Sequence, residues 1–189
     1  MGEIKKSIVN SIIIFVLFTV MLGVVYPLVI TGISQAAFPS QVNGEMITEN
    51  GVIIGSQLIG QNFSSPQYFQ GRPSYVDYNA STSGGSNLGP DSQAEIGNVS
   101  ANMLQVIQEN NLPVNNTVPS DLVEASASGL DGDVYASSAM IQVPRIAQAR
   151  NISQSEVSEI VIENEEYQWL GNPIVNVLKL NIALDKLNK

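Results

Sequence analysis

Residues 12–33 read IIIFVLFTVMLGVVYPLVITGI, and Thr19 and Thr31 are the only clearly polar breaks in that run. No charged side chain occurs anywhere between Lys6 and Glu45. A bilayer core of about 30 Å needs roughly 20 apolar helical residues, so the run has the length of a membrane span. A cleavable signal sequence is the rival reading, because Ser34-Gln35-Ala36 carries the small residues of a cleavage site. Cleavable apolar regions run only about 7–15 residues, which favours a retained anchor. Pro27 follows Tyr26 in the outer half of the run. A proline there predicts a kinked helix with a freed carbonyl.

Lys5 and Lys6 precede the span, and the next basic residue is Arg72. The positive-inside rule therefore places the N-terminus in the cytoplasm and the bulk of the chain outside. The segments expected are a cytoplasmic stub over 1–7, a transmembrane helix over 8–33 and an extracytoplasmic domain over 34–189. The span holds no ionisable residue of the kind an ion or proton path would carry, so it anchors or packs. The whole chain has a net charge of −9. Lys5 and Lys6 outweigh Glu3, so the outer part is one unit more acidic still.

That part has the size of a single domain. Short β-type runs are expected at Gly51–Ile54 and Gln57–Ile59, and an extended loop with tight turns over Gly71–Pro90. Ser92–Asn110 places Ile96, Val99, Met103, Val106 and Ile107 near a 3.6-residue period. Tyr135–Arg150 does the same with Ala139, Met140, Val143, Ile146 and Ala147, and Pro144 is expected to kink or restart it. Ser153-Gln-Ser-Glu156 has the form of a capping box ahead of Val157, Ile160 and Val161. Pro173–Leu180 alternates like a strand, with Asn181 as the cap of a last short helix. The fold class is α+β: a single N-terminal transmembrane helix followed by one mixed α+β extracytoplasmic domain.

Composition removes much chemistry. With no histidine and no cysteine there is no Ser-His-Asp triad, thiol nucleophile or zinc ribbon. The acidic balance disfavours nucleic acid. Asp131-Gly-Asp133 starts like a calcium loop, but that loop wants glycine at its sixth place and glutamate at its twelfth, where Ala136 and Gln142 stand. Ser83-Gly-Gly-Ser86-Asn lacks the lysine of a phosphate loop, and no lysine occurs between Lys6 and Lys179. Arg72, Arg145 and Arg150 are the only arginines, each suited to a carboxylate or a helix-end carbonyl. Residue chemistry alone reads as an anchored, outward-facing, non-catalytic partner subunit.

Several blocks in order resemble the KdpC family, the small subunit of the Kdp ATP-driven potassium pump. They begin with Gly23-Val-Val-Tyr-Pro-Leu and Gln35-Ala-Ala-Phe-Pro, then Gly55-Ser-Gln-Leu-Ile-Gly-Gln-Asn-Phe63. Tyr68-Phe-Gln-Gly-Arg-Pro-Ser74, Ser83-Gly-Gly-Ser-Asn-Leu88 and Val118-Pro-Ser-Asp-Leu-Val-Glu-Ala-Ser-Ala-Ser-Gly-Leu-Asp131 follow. The last are Gln142-Val-Pro-Arg-Ile-Ala-Gln-Ala-Arg150 and Gly171-Asn-Pro-Ile-Val-Asn-Val-Leu-Lys-Leu-Asn-Ile-Ala-Leu-Asp185.

The resemblance implies a complex with a channel-like potassium subunit (KdpA), a P-type ATPase subunit (KdpB) and a small membrane peptide (KdpF). The Asp-Lys-Thr-Gly-Thr of P-type phosphorylation is not in this chain. Two roles are implied: stabilising the assembly, or acting as a catalytic chaperone that raises the ATPase subunit's affinity for ATP. The alternative class is an independent membrane-anchored envelope binding protein or hydrolase. No cofactor is expected to bind tightly, and ATP at the interface with the ATPase subunit is the one ligand the resemblance admits. Its polar candidates are Gln142, Arg145, Ser83 and Asn87. Gly23, Tyr26 and Pro27 are the candidates for packing in the membrane. The motif residues expected at interfaces are Gly60, Gln61, Phe63, Gly71, Arg72, Pro73, Ser126, Ser128, Gly129, Asp131, Asn176 and Asn181.

Overall fold

The computed structural model describes residues 2–187, so residue 1 and residues 188–189 of the expected segments lie outside the described residues. The chain divides into two compact units, the first ending at Met46 and the second beginning at Ile47.

In the first unit, α1 (Gly2–Val20) and α2 (Tyr26–Ala37) are joined by a π-helical turn over Met21–Val25. The resulting helix of 36 residues has a mean hydropathy of 2.7 in its most apolar window, is buried nowhere in that window, and is long and apolar enough to cross a membrane. Two hydroxyls of this helix bond back within it: Thr19 Oγ1 donates to the Phe15 carbonyl at 2.8 Å, and Ser11 Oγ to the Ser7 carbonyl at 2.9 Å.

The π turn is how this helix accommodates Pro27. A proline ring opposes the carbonyl four residues back and offers it no N–H. Widening the preceding turn relieves that conflict, and the Tyr26 N–H bonds the Met21 carbonyl five residues back. The expected kink thus takes the form of a π turn that contains Gly23 and ends where Tyr26 and Pro27 open α2. A short helix, α3 (Pro39–Val42), follows.

From Met46, at the boundary of the units, the chain forms a hairpin of β1 (Met46–Glu49) and β2 (Val52–Ser56). Asn50 (φ 51°) and Gly51 (φ 81°) both sit in the left-handed region, as a type I′ turn demands. The run at 57–59 is a turn, not a strand. Ser56 Oγ accepts the Leu58 N–H at 3.1 Å and bends the chain away. Residues 71–90 carry neither helix nor strand.

Next come α4 (Gln93–Glu109), a 3₁₀ turn at Ser120–Leu122, β3 (Asp133–Tyr135), α5 (Ala136–Arg150), α6 (Gln154–Glu163), β4 (Ile174–Asn176) and α7 (Val177–Leu187). Strands β3 and β4 pair antiparallel with Val134 opposite Val175, both buried. The main core gathers Ala139, Val143, Ile146 and Ala147 of α5, Val157, Ile160 and Val161 of α6, and Leu180 and Leu184 of α7 around Phe69. α5 runs through Pro144 as one helix, held on both sides of the proline by that buried face.

Two expectations are corrected. Residues 177–180 are helical, because Val177, Leu180, Asn181 and Leu184 fall at helical spacing and all are buried. Consequently Asn181 lies inside α7 and does not cap it. Asn176 takes that place, its Oδ1 accepting the Lys179 N–H at 3.2 Å. The face of α4 read as core is only partly covered: Ile107 is buried, but Ile96 is 46% and Met103 37% exposed. The capping box is present, with Ser153 Oγ accepting the Glu156 N–H at 3.2 Å and Glu156 Oε2 accepting the Ser153 N–H at 2.9 Å.

Candidate functional site

The family-type residues converge on the irregular segment 66–74, which has no strand partner of its own. Its backbone polar groups must be met by side chains. Asn181 Nδ2 donates to the Phe69 carbonyl at 3.0 Å, and its Oδ1 accepts the Phe69 N–H at 2.8 Å. Gln142 repeats the pairing one residue on, donating to the Gln70 carbonyl at 3.1 Å and accepting its N–H at 2.8 Å. Two amides, from α7 and α5, therefore grip consecutive residues.

Arg145 completes the clamp one turn further along α5. Its Nη1 donates to the carbonyls of Pro66 and Tyr68 at 2.6 and 3.1 Å, Nη2 to Gln142 Oε1 at 2.8 Å, and Nε to Asn110 Oδ1 at 3.0 Å. All four acceptors are neutral. Burial lowers the pKa of this guanidinium, and the nearby Glu109 opposes that shift. Arg150 closes the lower edge: Nε reaches the Gln67 carbonyl at 2.7 Å, Nη2 pairs with Asp185 Oδ1 at 2.8 Å, and the guanidinium lies 4.9 Å from the Tyr68 ring centre. Phe63 packs on the main core with its ring centre 5.8 Å from that of Tyr68. Burial, then the Asp185 charge, raises the Tyr68 pKa.

A second joint ties 71–88 to 126–131. Arg72 Nη1 meets Asp131 Oδ2 at 3.2 Å, and Nη2 donates to the Glu124 carbonyl at 3.3 Å. The Arg72 carbonyl accepts the Tyr78 hydroxyl, Ser74 Oγ donates to the Gly129 carbonyl at 2.6 Å, and Gly84 N–H to the Ser128 carbonyl at 2.8 Å. Ser126 and Ser128 turn their hydroxyls onto the same turn, accepting the Asp131 and Leu130 N–H groups. Gly129 has φ +66°, and a Cβ on it would sit 2.8 Å from the Gly84 carbonyl oxygen. Gly60 lies so close to the Asp131 backbone that a Cβ would stand 2.9 Å from its carbonyl carbon. A Cβ on Gly71 would meet the Tyr78 hydroxyl at 3.4 Å and Val177 Cγ2 at 3.8 Å, both ordinary contacts.

Asn176 Nδ2 bridges the Gln57 carbonyl at 2.9 Å and Asp133 Oδ1 at 2.7 Å. Burial pushes the Asp133 carboxyl up, against the lowering effect of that Asn176 hydrogen bond. Gln61 Nε2 donates weakly to the Ile54 carbonyl at 3.5 Å.

The four nucleotide candidates are not brought to one place. A polar cleft of about 240 Å³ is walled by Gln70, Arg72, Pro73, Tyr78, Glu109 and Gln142, among others, with neither Ser83 nor Asn87 in its lining. Ser83 Oγ donates to the Ser128 carbonyl at 3.2 Å, and Asn87 Nδ2 to the Gly85 carbonyl at 3.2 Å. Both donors stand at the exposed surface. Among the described residues, no group of three His, Cys, Asp or Glu side chains is placed to hold a metal ion.

Two structural residues escaped the sequence reading. Asn110 is the Nε partner of Arg145, and Asp121, 4% exposed, accepts the Tyr135 N–H at 2.7 Å and the Ser138 hydroxyl at 2.6 Å. Both partnerships span parts of the chain with no local pattern to signal them.

An apolar spanning helix joined to a small domain whose polar motifs mostly brace its own loops defines a membrane-anchored α+β protein. The chain belongs to the KdpC family, described as the K⁺-transporting ATPase c chain, which it matches over residues 8–186. A potassium-transporting ATPase KdpC subunit of Burkholderia orbicola (strain MC0-3) is 45% identical over 187 residues, covering 96% of each chain. That of Mycobacterium bovis (strain BCG / Pasteur 1173P2) is 40% identical over 188 residues, covering 97% of this chain and all of the relative.

Proposed function

We propose that this chain is a non-catalytic subunit of an ATP-driven potassium uptake complex, docking on its larger subunits and stabilising their assembly. The N-terminus is cytoplasmic, and the α+β domain lies outside. The channel-like subunit (KdpA) is its main partner there, and the ATPase subunit (KdpB) and the small peptide (KdpF) share the membrane. Lys5 and Lys6 ahead of a charge-free helix support this orientation.

The observation that carries the reading is the fate of Gln142 and Arg145. Both are at least nine-tenths buried, and their hydrogen bonds go to residues 66–70 and Asn110. Side chains committed in this way are poor readers of a nucleotide. Any rise in ATP affinity therefore passes through the helix or the channel subunit as coupling between separate sites. No ATP binds the domain itself. Its acidic surface adds a weak field that concentrates cations near the entrance, screened over about 8 Å at physiological salt.

The test is thiol labelling in intact cells of single cysteines at Ser137 and Ser7, both exposed, with a membrane-impermeant reagent. Labelling at 137 alone is the expected result. Labelling at 7 alone would invert the orientation and restore direct nucleotide contact as the leading mechanism.

A further inference from the structure

A groove of about 440 Å³ runs along the first turns of α4, walled by Leu88, Pro90, Ile96 and Val99 and by Glu124 and Ala125 on the opposite side. Glu95 projects into it and also lines the adjoining groove beside Tyr75 and Asn98. Its Oε2 is buried with no hydrogen-bond partner among the described residues. A shielded carboxylate oxygen without a donor is costly. The first-turn dipole of α4 favours a negative charge there, but leaves this oxygen's lone pairs unmet. Among the described residues, no lysine or arginine lines either groove.

The walls specify what is missing. A cationic head is needed at Glu95, with Glu124 adding charge of the same sign. The stem behind that head must be apolar, because Leu88 and Ile96 are 40% and 46% exposed along its path. Lysine and arginine are the side chains that join a charged end to an apolar stem. Met103, one heptad beyond Ile96 on α4 and 37% exposed, extends the same uncovered face.

We propose that this groove seats a lysine or arginine projected from an apolar segment of a companion subunit in the assembled transporter, with Glu95 as its counter-charge. This deepens the docking reading and rests on it. The surface is rimmed by Pro73 and Ser74 and by Glu124 and Ala125, so the joint between the two family-type segments frames the contact.

The test uses the full chain co-expressed with its companion subunits, and the chain alone in detergent. Wild type, Glu95→Gln and Glu95→Lys are compared for retention on the tagged ATPase subunit, and a photo-crosslinking side chain is placed at Ile96. We expect Glu95→Lys to lower retention at least about tenfold and Glu95→Gln several-fold, as for truncation of one member of a buried charge pair. The melting temperature of the chain alone should hold or rise in Glu95→Gln, since a shielded, unmet charge is neutralised. The crosslink should reach a companion subunit.

Unchanged retention in Glu95→Lys overturns the groove assignment, as does a crosslink into a second copy or into lipid. A melting temperature that falls in step with retention would make Glu95 structural and also overturns it. These failures leave the docking reading intact while wild type is retained. Loss of wild-type retention defeats docking itself.

Discussion

Replacing Arg145 separates a structural clamp from a nucleotide reader. Arg145→Ala strands the Pro66 and Tyr68 carbonyls and Asn110 Oδ1, while Gln142 Oε1 keeps the Gln70 N–H. Each stranded buried acceptor costs about 1–3 kcal/mol. Pro66 and Tyr68 are partly solvated, so the lower half applies and the three acceptors sum to about 3–6 kcal/mol. At roughly 2–4 °C per kcal/mol for a chain of this size, the melting temperature should fall by about 10 °C. Arg145→Lys should recover part of the loss, because one ammonium cannot span acceptors arranged for a planar fork. The assay is thermal unfolding of the full chain in detergent by near-ultraviolet circular dichroism, run beside the ATP dependence of the assembled transporter at a permissive temperature. An unchanged melting temperature in Arg145→Lys, together with a several-fold rise in the KM for ATP, would refute the clamp and make Arg145 a ligand of the nucleotide.

Three further outcomes follow from the geometry. Gly60→Ala drives a Cβ into the Asp131 backbone and should destabilise the chain by about 1–3 kcal/mol, read as a lowered urea midpoint. Glu156 is held below the ordinary glutamate range, first by the Ser153 hydroxyl and then by the Ser153 N–H. Its contribution is therefore present above the ordinary glutamate pKa and is lost as pH falls through the lowered one. Glu156→Gln should flatten that acid-side decline, and a pH–stability curve that keeps the wild-type slope would disprove it. Pro27→Ala removes the reason for the π turn. Relaxation to an α-helix should rotate the outer half by about 100° relative to the inner half. Cysteine-scanning crosslinks to neighbouring helices would show the shift, and an unmoved pattern would disprove it.

The helices were legible because their signals are local. The apolar run that predicts the span, the period of Ala139–Ala147 and the Ser153–Glu156 box all lie within a few turns of chain. The tail misled because Val, Leu and Ile at 174–180 satisfy a strand and a helix alike over so short a window. Leu180, Asn181 and Leu184 arbitrate only when read together. Asn50-Gly51 was a readable turn signal for the hairpin, since both residues adopt positive φ. Motif residues were found through resemblance, but their partners were not. Phe69 and Asn181 are 112 positions apart, and no spacing rule links them. The unpaired Glu95 oxygen was equally invisible, because a missing partner is a property of packing.

The paired amides on Phe69 and Gln70 have one more consequence. They fix the position of this segment by recognising it, not by measuring the length of chain that leads to it. Insertions or deletions at 64–65, between Phe63 on the core and Pro66, can therefore be absorbed without displacing Phe69, whereas Gln57 and Gly60 are held further upstream. Past residue 70 that freedom ends, because the next anchor, Arg72 on Asp131, stands two residues on. Length variation among homologous chains should accordingly collect in the short gap between Phe63 and Pro66 and stop at the clamp.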